Sequence, residues 1–397
     1  MVLMQKRILG ILFAVLFTVM LGFSILFPVE PYYVKTFGAS AQTMGWLMAS
    51  YSLGQFIFSP IWGRLSDRVG RKPVMMLGLA GYALSMTLMG LATSVTGLFV
   101  ARSLAGILGA ATLPTAMAVI ADSTSEEERA KGMGILGAAF GLGVIFGPFL
   151  GGVLGAVKIT LPFFVSASLA VLTLLFVAAV LPESLRHRTP TPEKGAKGGT
   201  RWAAMNGQTV GLYAIAFVVT FSLAGLETSF PFLANDRLGL NERNVGYVYA
   251  IMGFVAAMVQ GGVVGRLKKI LGEERMILAG LLTSAAGMAL IAIAATPVVA
   301  TIAISIFGAG HGLIRPANAS LITRRAKVGH GLAIGLLDSM DSLGRILGPI
   351  AGGILFHYRD ALPFASGASL NLLAFLLFLT LIPTALRRSS SSEVGRS

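Results

Sequence analysis

The sequence predicts an all-α membrane protein with twelve transmembrane helices in two pseudo-symmetric six-helix bundles. Three observations lead there. Of the 397 residues, 55% are hydrophobic and only 12% charged, where a water-soluble domain carries about 25% charged residues. Nearly every apolar run is about 20 residues long, enough to cross a bilayer core of roughly 30 Å. A span in lipid must satisfy its own backbone, so these runs are helices. Finally, landmarks recur at one offset. Gly63-Arg64-Leu65 with Gly70 returns as Gly265-Arg266-Leu267 with Gly272, Pro114 returns as Pro316, and Gly147-Pro148 with Gly151-Gly152 returns as Gly348-Pro349 with Gly352-Gly353. That repetition implies a six-plus-six duplication, the arrangement in which transporters place a site between their halves near the midplane.

The spans fall at about 8–30, 43–63, 73–93, 97–121, 131–155, 160–182, 207–233, 244–265, 275–295, 297–321, 331–357 and 361–384. A signal peptide is the other reading of the first span. Its length and the Pro28-Val29-Glu30-Pro31 ending, in place of a small-residue cleavage site, count against that. The N-terminal bundle is then 1–182, the C-terminal bundle 207–397, and 183–206 a polar linker rich in Pro, Gly, Lys and Arg. Loops on the side of the two termini hold 23 Lys and Arg, against 5 in the opposite loops. That bias puts both termini in the cytoplasm of a cell membrane. The net charge of +14 is thus scattered over short loops rather than gathered in a nucleic-acid-binding domain. There are no cysteines, and the four histidines form no metal pair at helical spacing. No His-Glu-x-x-His, Gly-x-Ser-x-Gly or phosphate-binding loop is present, which argues against an enzyme and against nucleotide as the energy source. Small molecules, protons and lipids are the expected partners of a monomer with no cofactor other than a proton gradient.

The loop after the second span reads Gly63-Arg-Leu-Ser-Asp67-Arg68-Val-Gly70-Arg71-Lys72. Positive-inside charge explains the basic residues but neither Asp67 nor the glycine spacing. Arg102 lies inside the fourth span, where a charge is costly in lipid and should face the bundle interior. The alternative is an arginine that snorkels to the interface. In the fifth span Gly143, Gly147, Gly151 and Gly152, with Gly137 and Gly141, flatten a helix face for close packing, and Pro148 bends the helix. Four acids lie in the spans: Glu30, Glu227, Asp338 and Asp341. Counted along straight helices, Glu30 falls roughly 33 Å in, near the outer rim, where a solvated interface residue is the competing reading. Glu227 falls roughly 28–30 Å in, Asp341 about 15 Å and Asp338 about 10 Å. Asp338, Asp341 and Arg345 share one helical face, and an Asp341–Arg345 ion pair is the structural alternative to a proton-carrying Asp341.

These motifs resemble the major facilitator superfamily, and within it the twelve-span drug–proton antiporters, close to Gram-positive exporters of quinolones and cationic dyes. The loop from Gly63 to Lys72 is similar to the superfamily signature. The resemblance implies that Asp67 docks on the N-terminus of the eleventh helix, near Gly329-His330-Gly331, when the cytoplasmic side closes, and that Asp122 partners the loop arginines. The fifth-span Gly-Pro-x-x-Gly-Gly resembles the antiporter motif. Arg102 resembles the arginine of proton-coupled members, Glu227 the seventh-helix acid used for coupling, and Arg315 the tenth-helix arginine. The chain departs from that group at Gly312, where an acid is expected, and at Asp338, Asp341 and Glu30, where acids are not. Proton coupling is therefore expected at Glu227, Asp341, Asp338, Arg102 and Glu30, since a carboxyl that alternates between wet and dry surroundings binds and releases a proton. Tyr51, Phe140, Phe221, Arg315 and Arg345 are expected to line a cavity for small lipophilic or cationic compounds exported by alternating access. Export of sugars or organic acids, and lipid translocation, are the alternative functions on the same fold.

Overall fold

The computed structural model describes residues 2–123, 126–184, 207–326 and 330–393. Apart from its first two residues, the expected linker lies outside the described residues. Among them all regular structure is helical. The first half contains α1 (Val2–Ser24), α2 (Glu30–Thr36), α3 (Ala41–Val69), α4 (Arg71–Gly90), α5 (Val95–Gly109), α6 (Thr112–Ser123), α7 (Glu126–Val157) and α8 (Leu161–Val180). The second contains α9 (Gly207–Asp236), α10 (Glu242–Met258), α11 (Val264–Ala292), α12 (Pro297–Arg325), α13 (His330–Tyr358) and α14 (Leu362–Glu393). Eight stretches among the described residues are long and apolar enough to cross a membrane.

The helices depart from the expected spans where a physical reason is visible. The first span stops at Ser24 rather than 30, and the chain turns before Glu30 opens α2 with Pro31 in its first turn. The fourth span is divided between α5 and α6. Pro114 has no N–H to offer the carbonyl four residues back, and the Ala111 N–H bonds instead to Leu108 O at 3.1 Å. The eighth span closes in a π-helical turn, Val259–Val263, through Gly261 and Gly262. The loop expected at 266–275 is a sharp reversal at Gly272, φ 75°, inside α11.

The chain packs as two compact units. The described residues of Met1–Pro192 and Glu227–Ile251 form one, and those of Glu193–Leu226 and Met252–Ser397 the other. The boundary passes through α9, so its last third belongs to the first unit. In the first unit Leu12, Val15, Met75, Leu79, Ile120 and Val177 form an apolar core. In the second, Leu212, Ile277, Leu281, Leu321, Ile322 and Phe378 do the same.

Glycine sets the closest helix contacts in both. A methyl on Gly143 would meet Met20 Cβ at 2.6 Å, and one on Gly147 would meet the Ser24 backbone at 2.9 Å, so α7 lies directly on α1. Ser24 Oγ donates to Gly143 O at 2.7 Å across that contact. At an offset of 201, Gly344 stands 2.8 Å from Phe221 N by the same measure, which brings α13 onto α9. The duplication read from the sequence is therefore also a duplication of helix contacts.

Candidate functional site

The most enclosed charges of the first unit are Glu30 and Arg102. Arg102 Nη2 lies 3.1 Å from Glu30 Oε2, with side-chain exposures of 0% and 1%. The guanidinium also sits over the Tyr51 ring, 4.7 Å from its centroid. Gly106 makes that approach possible, because any Cβ there would strike the Tyr51 carbonyl. Arg102 Nε and Nη1, Glu30 Oε1 and the Tyr82 hydroxyl are buried without hydrogen-bond partners. Charges held this way are costly unless paired, and besides Glu30 the guanidinium has only soft partners, the Tyr51 ring and Met48 Sδ, to which Nη2 donates at 3.2 Å. Two alternatives from the sequence are thereby overturned. Glu30 is not a solvated rim residue: the chain runs on from α1 into α2 through i→i−3 and i→i−4 backbone bonds, and Glu30 is enclosed there against Arg102. Arg102 does not snorkel, because α3 covers it. Tyr51, expected in the cavity, belongs to this group, and Gln55 Nε2 donates to its hydroxyl at 3.0 Å.

In the second unit the Asp341–Arg345 pair, the structural alternative read from helical spacing, does not form. Asp341 accepts from Thr220 Oγ1 at 2.6 Å and lies 3.8 Å from Arg315 Nη2. The contact of α13 with α9 at Gly344 and with α12 supplies these partners, and they outcompete the helix's own i+4 neighbour. His311 on α12, one turn from Arg315, has a buried Nδ1 without a partner and stacks on Phe307. Asp338 is exposed. Glu227 is half-buried on the part of α9 in the first unit, where the Tyr249 hydroxyl donates to its backbone carbonyl at 3.4 Å. Glu227 and the aspartates of α13 thus fall in different units. So do the expected cavity residues Phe140, exposed on α7, and Phe221, which packs on Phe217.

The loop between α3 and α4 is a charge cluster. Arg71 reaches Asp122 at 3.0 Å, Asp67 at 2.6 Å and Ser66 Oγ at 2.7 Å, so Asp122 is the partner expected of it. Burial works against the Arg71 charge, but the hydrogen bonds with Asp122 and Asp67 outweigh it and hold the group above its ordinary pKa. Gly70, at φ 118°, turns the chain so that Glu183 accepts the Arg71 and Lys72 N–H groups at 2.9 and 3.1 Å. That carboxylate on a helix N-terminus is favourable. Arg68 is exposed. The docking of Asp67 near Gly329-His330-Gly331 lies outside the described residues.

The second half carries the same cluster with its charges exchanged. At an offset of 202, Glu273 stands for Arg71 and Arg324 for Asp122, and they pair at 2.7 Å. Lys268, in the place of Ser66, reaches Glu273 at 2.8 Å. Burial pushes the Glu273 carboxyl up, but Lys268, Ser320 and Arg324 together hold it below its ordinary value.

The profile of the Major Facilitator Superfamily matches residues 12–330 and 263–396 of this chain. The chain belongs to the Major Facilitator Superfamily. It is an integral membrane protein of the superfamily's twelve-helix fold, and a member of a transporter family rather than an enzyme. It is similar to Multidrug resistance protein 2 of Bacillus subtilis (strain 168), 33% identical over 368 residues and 91% of each chain. It is also 31% identical to the class B tetracycline resistance protein of Escherichia coli over 391 residues, covering 94% of this chain and 96% of that one. Its fold is that of a bacterial homologue of the human lysosomal transporter Spinster in an inward-facing, occupied conformation. There the TM-score is 0.77 at 16% identity, over 96% of this chain and 97% of that one.

Within this superfamily member the fifth-span glycines divide their work. Gly143 and Gly147 face α1 and Gly151 faces Ile25 just beyond it, whereas Gly152 faces the start of α10, where a methyl would meet Glu242 O at 2.9 Å and Gly246 Cα at 3.0 Å. Sequence reasoning did not single out Glu183, Thr220, His311 or Glu273. Only Glu273 left a signal, as the residue that follows the repeated glycine at the position of Arg71.

Proposed function

We propose that this chain is a proton-driven exporter of small lipophilic and cationic compounds, working as an antiporter by alternating access. The observation that supports it is the Glu30–Arg102 pair. An acid with no access to water and one cationic partner holds a single exchangeable charge. When Glu30 takes a proton, Arg102 loses its counter-charge and the attraction between α2 and α5 weakens. When Glu30 gives the proton up, the attraction returns. Proton binding and helix arrangement are then linked in both directions. Multidrug and tetracycline resistance relatives at 31–33% identity support small drugs as the cargo. The loop charge bias supports a cell-membrane protein with both termini in the cytoplasm, and the absence of any cofactor requirement follows from coupling to the proton gradient alone.

The test is reconstitution in proteoliposomes with an imposed pH gradient and a fluorescent lipophilic cation as cargo. Gradient-driven dye transport that an uncoupler stops is the expected result. Transport that survives the uncoupler, or is absent for every lipophilic cation tried, overturns the reading.

A further inference from the structure

The exchanged charges around Glu273 leave the second unit with a surplus that the first unit lacks. After α3 the first unit gathers Arg64, Arg68, Arg71 and Lys72 with three carboxylates, Asp67, Asp122 and Glu183. At the matching positions of the second unit stand six cations, Arg266, Lys268, Lys269, Arg275, Arg324 and Arg325, and as acids only Glu273 and Glu274. Lys269 replaces Asp67, Arg324 replaces Asp122, and Pro182-Glu183 returns as Pro383-Thr384. Positive-inside bias asks for cations near both loops. It does not ask for the loss of all three of these acids from one copy.

Two of the cations are held in place from below. The Glu273 carboxylate, 3% exposed, takes Lys268 Nζ at 2.8 Å and Arg324 Nη1 at 2.7 Å. One buried carboxylate thus sets two cationic heads side by side, on side chains 51% and 69% exposed. Lys268 also reaches Ser320 Oγ at 3.3 Å. Its ammonium still keeps an N–H for a further acceptor, and Arg324 keeps the rest of its guanidinium fork. Arg266, Lys269 and Arg275 are exposed and enter no ion pair among the described residues. Amid these charges Ile270, in the place of Arg68, is 74% exposed. A bare isoleucine flanked by cations suits the boundary between acyl chains and headgroups better than it suits water or a soluble acidic partner.

We infer that this patch is a docking surface for anionic phospholipids, with one headgroup phosphate bridging Lys268 and Arg324. Arg266, Lys269 and Arg275 add attraction, and Ile270 enters the acyl region. The membrane supplies here the negative charge that Asp67, Asp122 and Glu183 supply in the first unit. The guanidinium fork gives the phosphate direction, and the ammonium adds a compact charge beside it. The inference needs the chain only to lie in a bilayer, so it stands or falls apart from the exporter reading.

The test reads lipid selectivity next to the patch. The chain has no cysteine of its own, so Ile270→Cys carries a single fluorophore. In phosphatidylcholine vesicles the dye is quenched by small amounts of spin-labelled phosphatidylglycerol or of spin-labelled phosphatidylcholine. The phosphatidylglycerol is expected to associate about tenfold more strongly, as one or two basic residues at a membrane surface provide. The same dye on Val69→Cys, an exposed position of the first unit, is expected to show a preference of about twofold at most. Lys268→Gln with Arg324→Gln should remove most of the preference at Ile270. Those two side chains also hold Glu273, so a second variant keeps the test independent of folding. Lys269→Gln with Arg275→Gln breaks no ion pair and should lower the preference about threefold at an unchanged melting temperature. A preference near one at Ile270, an equal preference at Val69, or no change in the Lys269 and Arg275 variant overturns the inference. So does loss of the preference to an excess of dissolved glycerol phosphate, which would make the patch a site for soluble phosphate.

Discussion

Arg102 directs its guanidinium at Glu30 across 3.1 Å, and solvent reaches neither side chain. Such a pair contributes little net stability compared with apolar packing, but breaking it from one side is expensive. Glu30→Ala is expected to lower stability by about 3–5 kcal/mol, because Arg102 stays buried without a counter-charge. Glu30→Ala with Arg102→Met is expected to recover much of that loss. Thermal unfolding in detergent reads both. Glu30→Gln, which keeps the shape and removes the titrating group, should abolish gradient-driven export in liposomes, and full export by that variant would exclude Glu30 as the coupling acid.

Glu273 gives a pH signature on the opposite half. Its carboxyl is held below its ordinary value by Lys268, Ser320 and Arg324 acting against burial. A depressed folded pKa contributes stability that is fully present above the unfolded value, about 4.3 for Glu, and is lost as pH falls through the folded value. The melting temperature of Glu273→Gln should therefore lie below that of the wild type at neutral pH, by a loss on the order of 1–3 kcal/mol. The gap should close as the pH is taken below about 4. A gap that stays constant across that range would show that Glu273 acts through packing and not through its charge.

The spans, the duplication and the Arg71–Asp122 partnership were legible because each rests on local composition or on a pattern repeated along the chain. Glu30 was not. Counting along one helix places it near the rim, whereas its enclosure comes from Arg102 on α5, a partner far along the chain that no local pattern announces. The partners of Asp341 were hidden for a related reason. Spacing along one helix nominates Arg345, but Thr220 and Arg315 come from other helices, α9 being brought close by Gly344, and no local pattern announces them. Glu183, more than a hundred residues from the helix terminus it caps, is invisible in the same way. The exchanged charges of Glu273 and Arg324 were readable in principle, since aligning the halves at the repeated glycine sets each opposite a residue of reversed sign.

The glycine contacts predict that the two halves fail alike. Gly147→Ala drives a methyl into Ser24, and Gly344→Ala drives one into the α9 backbone at Phe221 and Phe217. Overpacking of that kind costs about 1–3 kcal/mol. Both variants are expected to melt lower by comparable amounts. Gly63→Ala, where the added methyl meets nothing within 4 Å, should be neutral. An unchanged melting temperature in either of the first two would show that the helices separate at no cost.

The last prediction concerns the end of the first unit where α2 meets the turn between α9 and α10, the face opposite the N-terminus. The Tyr32 hydroxyl donates to Leu240 O at 2.8 Å, and Lys35 donates to Asn235 Oδ1 at 2.6 Å and pairs with Asp236. The lysine pair is about half exposed on both sides, so it should add little, as exposed pairs do. Tyr32 is partly buried, and its bond crosses 208 residues of chain. Removing one such bond costs about 1 kcal/mol, which changes an open-to-closed ratio about fivefold. Gly152 and Gly246 hold α7 against α10 in the same unit, so the Tyr32 bond acts on a contact that is already tight. Tyr32→Phe is thus expected to raise the labelling rate of a cysteine placed at Asn235 by a polar maleimide about fivefold in membranes, while Lys35→Ala changes it little. The chain contains no cysteine of its own, so the introduced one reports without background. Equal labelling in Tyr32→Phe and wild type would show that this face is held shut by the helix contacts alone.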